Sequence, residues 1–151
     1  MDNNRILKYL EFVVLVSVII AITSYKGLFL LAPPYAVSAY LATFEPIGKH
    51  SKRLCIIFSY FVVIVSTEFF HILIGISIIS LILNVLVVSF FITFSRYSHP
   101  PAIALTIFSY IVHNSEIFVI TSLIALAVII GFQTLYMKIG ETFNLQAPTD
   151  K

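Results

Sequence analysis

The chain has 151 residues, of which 60% are hydrophobic and only 11% charged, and its mean hydropathy is +1.04. A soluble domain carries roughly 25% charged residues, because a small protein must cover much surface with polar groups; a soluble globular enzyme is therefore excluded, as are a disordered chain and, with Cys55 the single cysteine, a disulfide-stapled one. The net charge of +2 gives no nucleic-acid footprint, so the composition points to a multi-spanning membrane protein.

The first apolar run is Ile6 to Ser24, closed by Tyr25-Lys26-Gly27. Arg5 and Lys8 before it imitate a signal peptide, but Glu11 and the lack of a small-x-small cleavage site argue against one. Tyr25 to Phe44 is a second apolar segment, interrupted by Pro33-Pro34, and Glu45 to Arg53 is a polar loop holding Lys49, His50, Lys52 and Arg53. Leu54 to Phe70 and Ile72 to Ser95 are the third and fourth runs; Cys55 reads as a small packed hydrophobe. Arg96-Tyr97-Ser98-His99 leads into Pro100-Pro101 and a fifth segment ending near Val112. After the polar break His113 to Glu116, Ile117 to Met137 is the last run, and the chain is polar from Lys138 onward.

Four of these runs, at 17 to 24 residues, have the length of a spanning helix, which needs about 20. The two Pro-Pro segments read as half-helices starting at about Pro33 and about Pro100, since proline is tolerated where a helix leaves its N–H unpaired anyway. Residues 33–44 would reach only about 18 Å at about 1.5 Å per residue. Charge decides whether these segments cross. With four crossings, Arg5, Lys8, Lys138 and Lys151 face Lys26, Lys49, Lys52, Arg53 and Arg96, which is no bias. With six crossings every cation except Lys26 falls on one side, the positive-inside pattern with both termini cytoplasmic.

Six crossings divide into two triplets, about residues 5–70 and 72–140, followed by a polar tail over 141–151. Each triplet is a helix, a Pro-Pro segment and a helix: Ala32-Pro33-Pro34-Tyr35-Ala36-Val37-Ser38-Ala39 against His99-Pro100-Pro101-Ala102-Ile103-Ala104-Leu105-Thr106. An odd number of crossings per unit inverts the second unit, as in many secondary transporters, whose broken helices mark a midplane site. The reading is thus an all-α membrane protein of 3+3 inverted repeats in a single transmembrane domain. Two helix starts converging near the midplane present N–H groups and partial positive charge, which suits a small monovalent anion. The small residues Ala36, Ser38, Ala39, Ala102 and Ala104 let the backbones approach.

Several side chains carry two readings each. Arg96 either draws an anion from the cytoplasm or snorkels at the interface; His99 either binds the anion or a coupled proton, or caps the fifth helix. Asn84 shares a helical face with Ser77 and Ser80, a stripe that lines a pathway or bonds a neighbouring helix. Gln133 and Ser17 are single polar residues without such a stripe. The pairs Glu68/His71 and His113/Glu116 have the i, i+3 spacing of carboxylate-bridged metal sites, but no further carboxylates accompany them, and hydration of helix ends explains them more simply. No cofactor, metal, nucleophile–base set, phosphate loop or zinc signature is expected.

The stretches Ser98-His99-Pro100-Pro101-Ala102-Ile103-Ala104 and Ala32-Pro33-Pro34-Tyr35-Ala36-Val37-Ser38-Ala39, with the later Glu45-Pro46, resemble the HPP family of integral membrane proteins. That family's His-Pro-Pro motif usually continues Ala-Gly-Ala, where this chain has Ile103 for the glycine, and Tyr35-Ala36-Val37 stands where Phe-Gly-Ala is usual. Some plastid and cyanobacterial members are described as nitrite transporters, and others carry an appended regulatory domain. The resemblance implies a cell-membrane transporter or channel for a small, nitrite-like anion. Its expected contacts are Pro33, Pro34, Tyr35, Ala36, Ser38, Asn84, Arg96, His99, Pro100, Pro101 and Ala102. Lipid surrounds such a protein, and a homodimer suits a chain this small. The alternatives are a non-transporting membrane subunit and, more weakly, an intramembrane metal-binding protein.

Overall fold

The computed structural model describes residues 3–25 and 27–142 and contains six helices and no strand among them. Lys26, Lys151 and the tail beyond residue 142 lie outside the described residues. Helix α1 is Asn3–Tyr25, α2 Ala32–Phe44, α3 Arg53–Leu73, α4 Ile78–Phe94, α5 Pro101–Val112 and α6 Ser115–Thr142, with a 3-10 turn at Phe29–Leu31 leading into α2. The last helix runs past Met137, where the apolar pattern stops.

Helix boundaries follow local chemistry. Gly27 ends the first helical segment with φ 71°, its amide on the Ser24 carbonyl at 3.1 Å and that of Leu28 on Thr23 at 2.8 Å, so two otherwise orphaned carbonyls are satisfied. The fourth apolar run is not one helix. Gly75, at φ 80°, closes α3 by bonding His71, and the Ser77 side chain then accepts the Ser80 amide at 3.2 Å to start α4. α4 therefore has 17 residues rather than 24, and the long apolar helices number three: Arg5–Tyr25, Arg53–Leu73 and Ser115–Lys138. These three are long and apolar enough to cross a membrane, which describes a multi-pass integral membrane protein. The prolines fall within the first turns: Pro33 and Pro34 follow Ala32 in α2, and Pro100 is the N-cap and Pro101 the first residue of α5, where a missing amide breaks no helical bond.

The packing is arranged around α2 and α5. α1 packs on α2 and α4 on α5; α6 packs on α1 and α3 on α4; α2 meets α6 and α5 meets α3; α2 also meets α5, and α3 meets α6. Exchanging α1, α2 and α3 for α4, α5 and α6 maps these pairs onto one another. The α5–α6 contact and the contacts of the 3-10 turn fall outside that pattern. The core holds Leu15, Tyr35, Tyr60, Val88, Leu105 and Phe118, while large apolar side chains such as Ile72, Ile78, Ile79 and Phe94 stand outward. Buried hydroxyls and amides lie inside this apolar exterior, the reverse of a water-soluble protein.

Candidate functional site

His99 lies in the connection between α4 and α5, outside every helix, and is fully buried. Its Nδ1 is 2.6 Å from the His50 carbonyl oxygen, so Nδ1 carries a hydrogen and donates. Its Nε2 is 2.9 Å from Ser38 Oγ on α2. Burial pushes the imidazole down to about 4, against the opposing effect of the His50 carbonyl. The ring is therefore uncharged at neutral pH, and Nε2 accepts the Ser38 hydroxyl hydrogen.

Tyr60 on α3 donates to Ser38 Oγ at 2.9 Å, which completes a chain of Tyr60, Ser38, His99 and the His50 carbonyl. Ser38 Oγ also lies 3.1 Å from the Pro34 carbonyl. The hydroxyl thus has two acceptors and one hydrogen. If Nε2 takes up a proton it becomes a donor to Ser38, whose own hydrogen rotates to Pro34. A change of one proton is absorbed by one hydroxyl rotation, with no helix displaced.

A second bond holds the same place from outside. His50 Nδ1 donates to the Ser98 carbonyl at 3.1 Å, so each histidine bonds the other's connection, and the two triplets are clasped together. Gln133 on α6 anchors the same connection, donating to the Ser51 carbonyl at 2.9 Å. The His99 side chain makes no capping bond to α5, whose N-cap is Pro100; only its carbonyl accepts from that helix, from the Ala102 amide. The capping reading of His99 does not describe this structure.

The two helix starts do not offer free amides. At α5, Pro100 and Pro101 have no N–H, while Ala102 donates to His99 at 3.1 Å and Ile103 to Pro100 at 3.0 Å. Before α2, Leu31 donates to Leu28 and Ala32 to Phe29, and Pro33 and Pro34 again have none. Tight turns consume the donors that the sequence reading leaves pointing outward. The residue of α2 that hydrogen-bonds His99 is Ser38, in the second turn. Tyr35 is buried and its hydroxyl is 2.8 Å from Ser122 Oγ on α6. Ala102 is buried, Ala36 and Pro101 are half-buried, Pro34 is buried, and Pro33, Pro100 and Arg96 are exposed.

Asn84 belongs to a separate polar cluster. Its Oδ1 accepts from Ser66 Oγ and its Nδ2 donates to Thr67 Oγ1 at 3.1 Å, both on α3. One turn earlier on α4, Ser80 Oγ is 2.9 Å from the Tyr110 hydroxyl on α5. Asn84 and Ser80 are spent on neighbouring helices, and Ser77 on the start of its own. Asn84→Leu keeps the branching at Cγ, adds some volume and takes the amide partner from two buried hydroxyls, each able to turn back to its own helix carbonyls. The expected cost is about 1–2 kcal/mol, checked by thermal unfolding in detergent micelles; an unchanged midpoint would show that the cluster carries no stability.

At the other ends of these helices, His71 Nδ1 is 2.8 Å from Ser115 Oγ and its ring stands edge-on to Tyr110, 4.5 Å between centroids. His113 closes α5 in the left-handed region at φ 54°, exposed, and Glu116 opens α6. Among the described residues no group of three or more His, Cys, Asp or Glu has the geometry to hold a metal. Ser17 bonds its own helix carbonyl, at Val13. The sequence reading passed over Tyr60 and Ser122, and did not weigh His50 beyond its loop. On α3 a signal existed: Tyr60 and Thr67 recur at a seven-residue spacing, which puts two polar groups on one buried face.

No family model, curated protein or solved structure matches this chain.

Proposed function

We propose that the protein is a six-pass membrane transporter or channel for a small inorganic anion of the nitrite type, built as two inverted repeats. The exchange pattern of helix packing supports the repeat, and three helices per unit reverse its direction in the membrane. In this reading the shorter apolar helices α2, α4 and α5 supply the other three crossings, with adjoining chain making up their length. Eight of the nine cations then share the cytoplasmic side.

The observation that carries the anion is the junction at His99. Hydroxyls and an imidazole meet there where α2 of one repeat crosses the start of α5 of the other, with no carboxylate among the hydrogen-bonding partners. Such groups can donate to an anion once their mutual bonds open, and Arg96 stands three residues away. The motif resemblance to the HPP family points to the same class of solute. The helix-start amides are occupied, so in this reading side chains rather than backbone supply the donors.

The test is flux into proteoliposomes under equal gradients of nitrite, nitrate, chloride and formate. Nitrite or another small anion should cross faster than in protein-free vesicles. A reporter fused in the 113–116 break should read as external; a cytoplasmic signal would overturn six crossings. One observation favours a second reading, a non-transporting membrane subunit: the polar junction is closed by its own bonds. That reading expects no anion flux from folded protein and stable co-purification with another chain.

A further inference from the structure

A cavity of about 410 Å³ opens beside the His50–His99 clasp, between the 45–52 connection, the first turn of α3, the 95–100 connection and α6. Lys49, Lys52, Arg53 and Arg96 line it, and no acidic residue does among the described residues. Four cations gathered in one cavity repel one another. An anion in the cavity would relieve that repulsion. The Arg53 guanidinium donates to the Met137 thioether at 3.1 Å, a weak acceptor, and has no carboxylate partner among the described residues.

The rest of the wall is apolar and opens outward. Ile47 is 78% exposed, and Leu54, 63% exposed, begins an apolar face of α3 that continues through Ile57 and Phe61. A small inorganic ion has no use for such a wall. A phosphate bearing acyl chains has one, with its charge among the cations and its chains along α3.

We propose that this cavity binds the phosphate group of an anionic membrane lipid. The proposal rests on the cytoplasmic placement of this face in the six-pass topology, but not on transport. The chemistry shared with a soluble phosphate is the oxyanion; the apolar wall selects the lipid.

The test uses the full chain purified in neutral detergent, with bound lipid read by native mass spectrometry. Phosphatidylglycerol should be retained about tenfold more than phosphatidylcholine, and the double variant Arg53→Gln/Arg96→Gln should lose about tenfold of that retention. Lys49→Gln/Lys52→Gln changes only the connection and the residue before α3, and should lose retention likewise, which keeps the result independent of any folding defect at α3. Lys8→Gln, on α1, should retain lipid as the parent does. Equal retention of the two lipids, or no loss in either double variant, would overturn the proposal. Displacement of phosphatidylglycerol by millimolar inorganic phosphate would assign the cavity to a soluble ion and overturn the lipid. None of these outcomes depends on flux, so the site and the transport reading stand or fall separately.

Discussion

His99→Ala is expected to lower nitrite flux in proteoliposomes at least about tenfold, and to do so more than any other single change at the junction. The substitution removes a side chain that ties the 45–52 connection to α2, leaving the part-buried His50 carbonyl and the buried Ser38 hydroxyl without it. Each lost partner costs about 1–3 kcal/mol. Ser38 sits at the low end because the Pro34 carbonyl remains within reach. Tyr60→Phe keeps the ring contact with His99 at 6.2 Å and removes only the donor to Ser38, so its loss of flux should be smaller. Arg96→Ala, on an exposed residue outside the hydrogen-bonded chain, should slow flux at low salt and less so at high salt, where attraction of ions is screened. Unaltered flux from folded His99→Ala protein would remove the junction from the mechanism.

Stability should fall as the medium is acidified from pH 7 towards pH 4, and His99 should carry much of the slope. An unperturbed histidine titrates at 6.5, and the buried ring in the folded protein at about 4. Between those values the unfolded chain binds the proton and the folded chain does not, so acidification favours unfolding. The contribution is complete above pH 6.5 and lost as pH falls to 4, at most about 3 kcal/mol in total. The other titratable groups facing the ring are His50 from the 45–52 connection and Tyr60 from α3, with no carboxylate within bonding distance to hold it charged. Thermal midpoints across pH 4 to 7 should slope in the parent and be flatter in His99→Ala. Parallel slopes would show that acid acts elsewhere.

The class of the protein was legible because membrane solvent imposes a coarse rule: long apolar runs and few charges. The starts of α2 and α5 were legible for a local reason, since proline cannot be placed deeper in a helix without breaking a bond. The break between α3 and α4 was misplaced by several residues. Hydropathy is blind to it, because Ile74 and Ile76 flank Gly75 and keep the run apolar, while the turn depends on a positive φ and one serine cap. The amides at the Pro-Pro starts were expected to be free, and only the folded backbone shows the short-range carbonyls that take them.

Scarcity of charge and its placement are properties of the sequence, and they determined an all-α protein with apolar helices for a membrane. Pro33-Pro34 and His99-Pro100-Pro101 likewise marked where two short helices begin. Which groups face one another was decided by tertiary structure alone. Ser38 and His99 are 61 residues apart, and Tyr60 reaches Ser38 from a third helix. Lys49, Lys52 and Arg53 join Arg96 only when two connections fold side by side. The physical reason is that a hydrogen bond needs its partners within about 3 Å and suitably aligned, a condition set by helix packing and not by the order of residues along the chain.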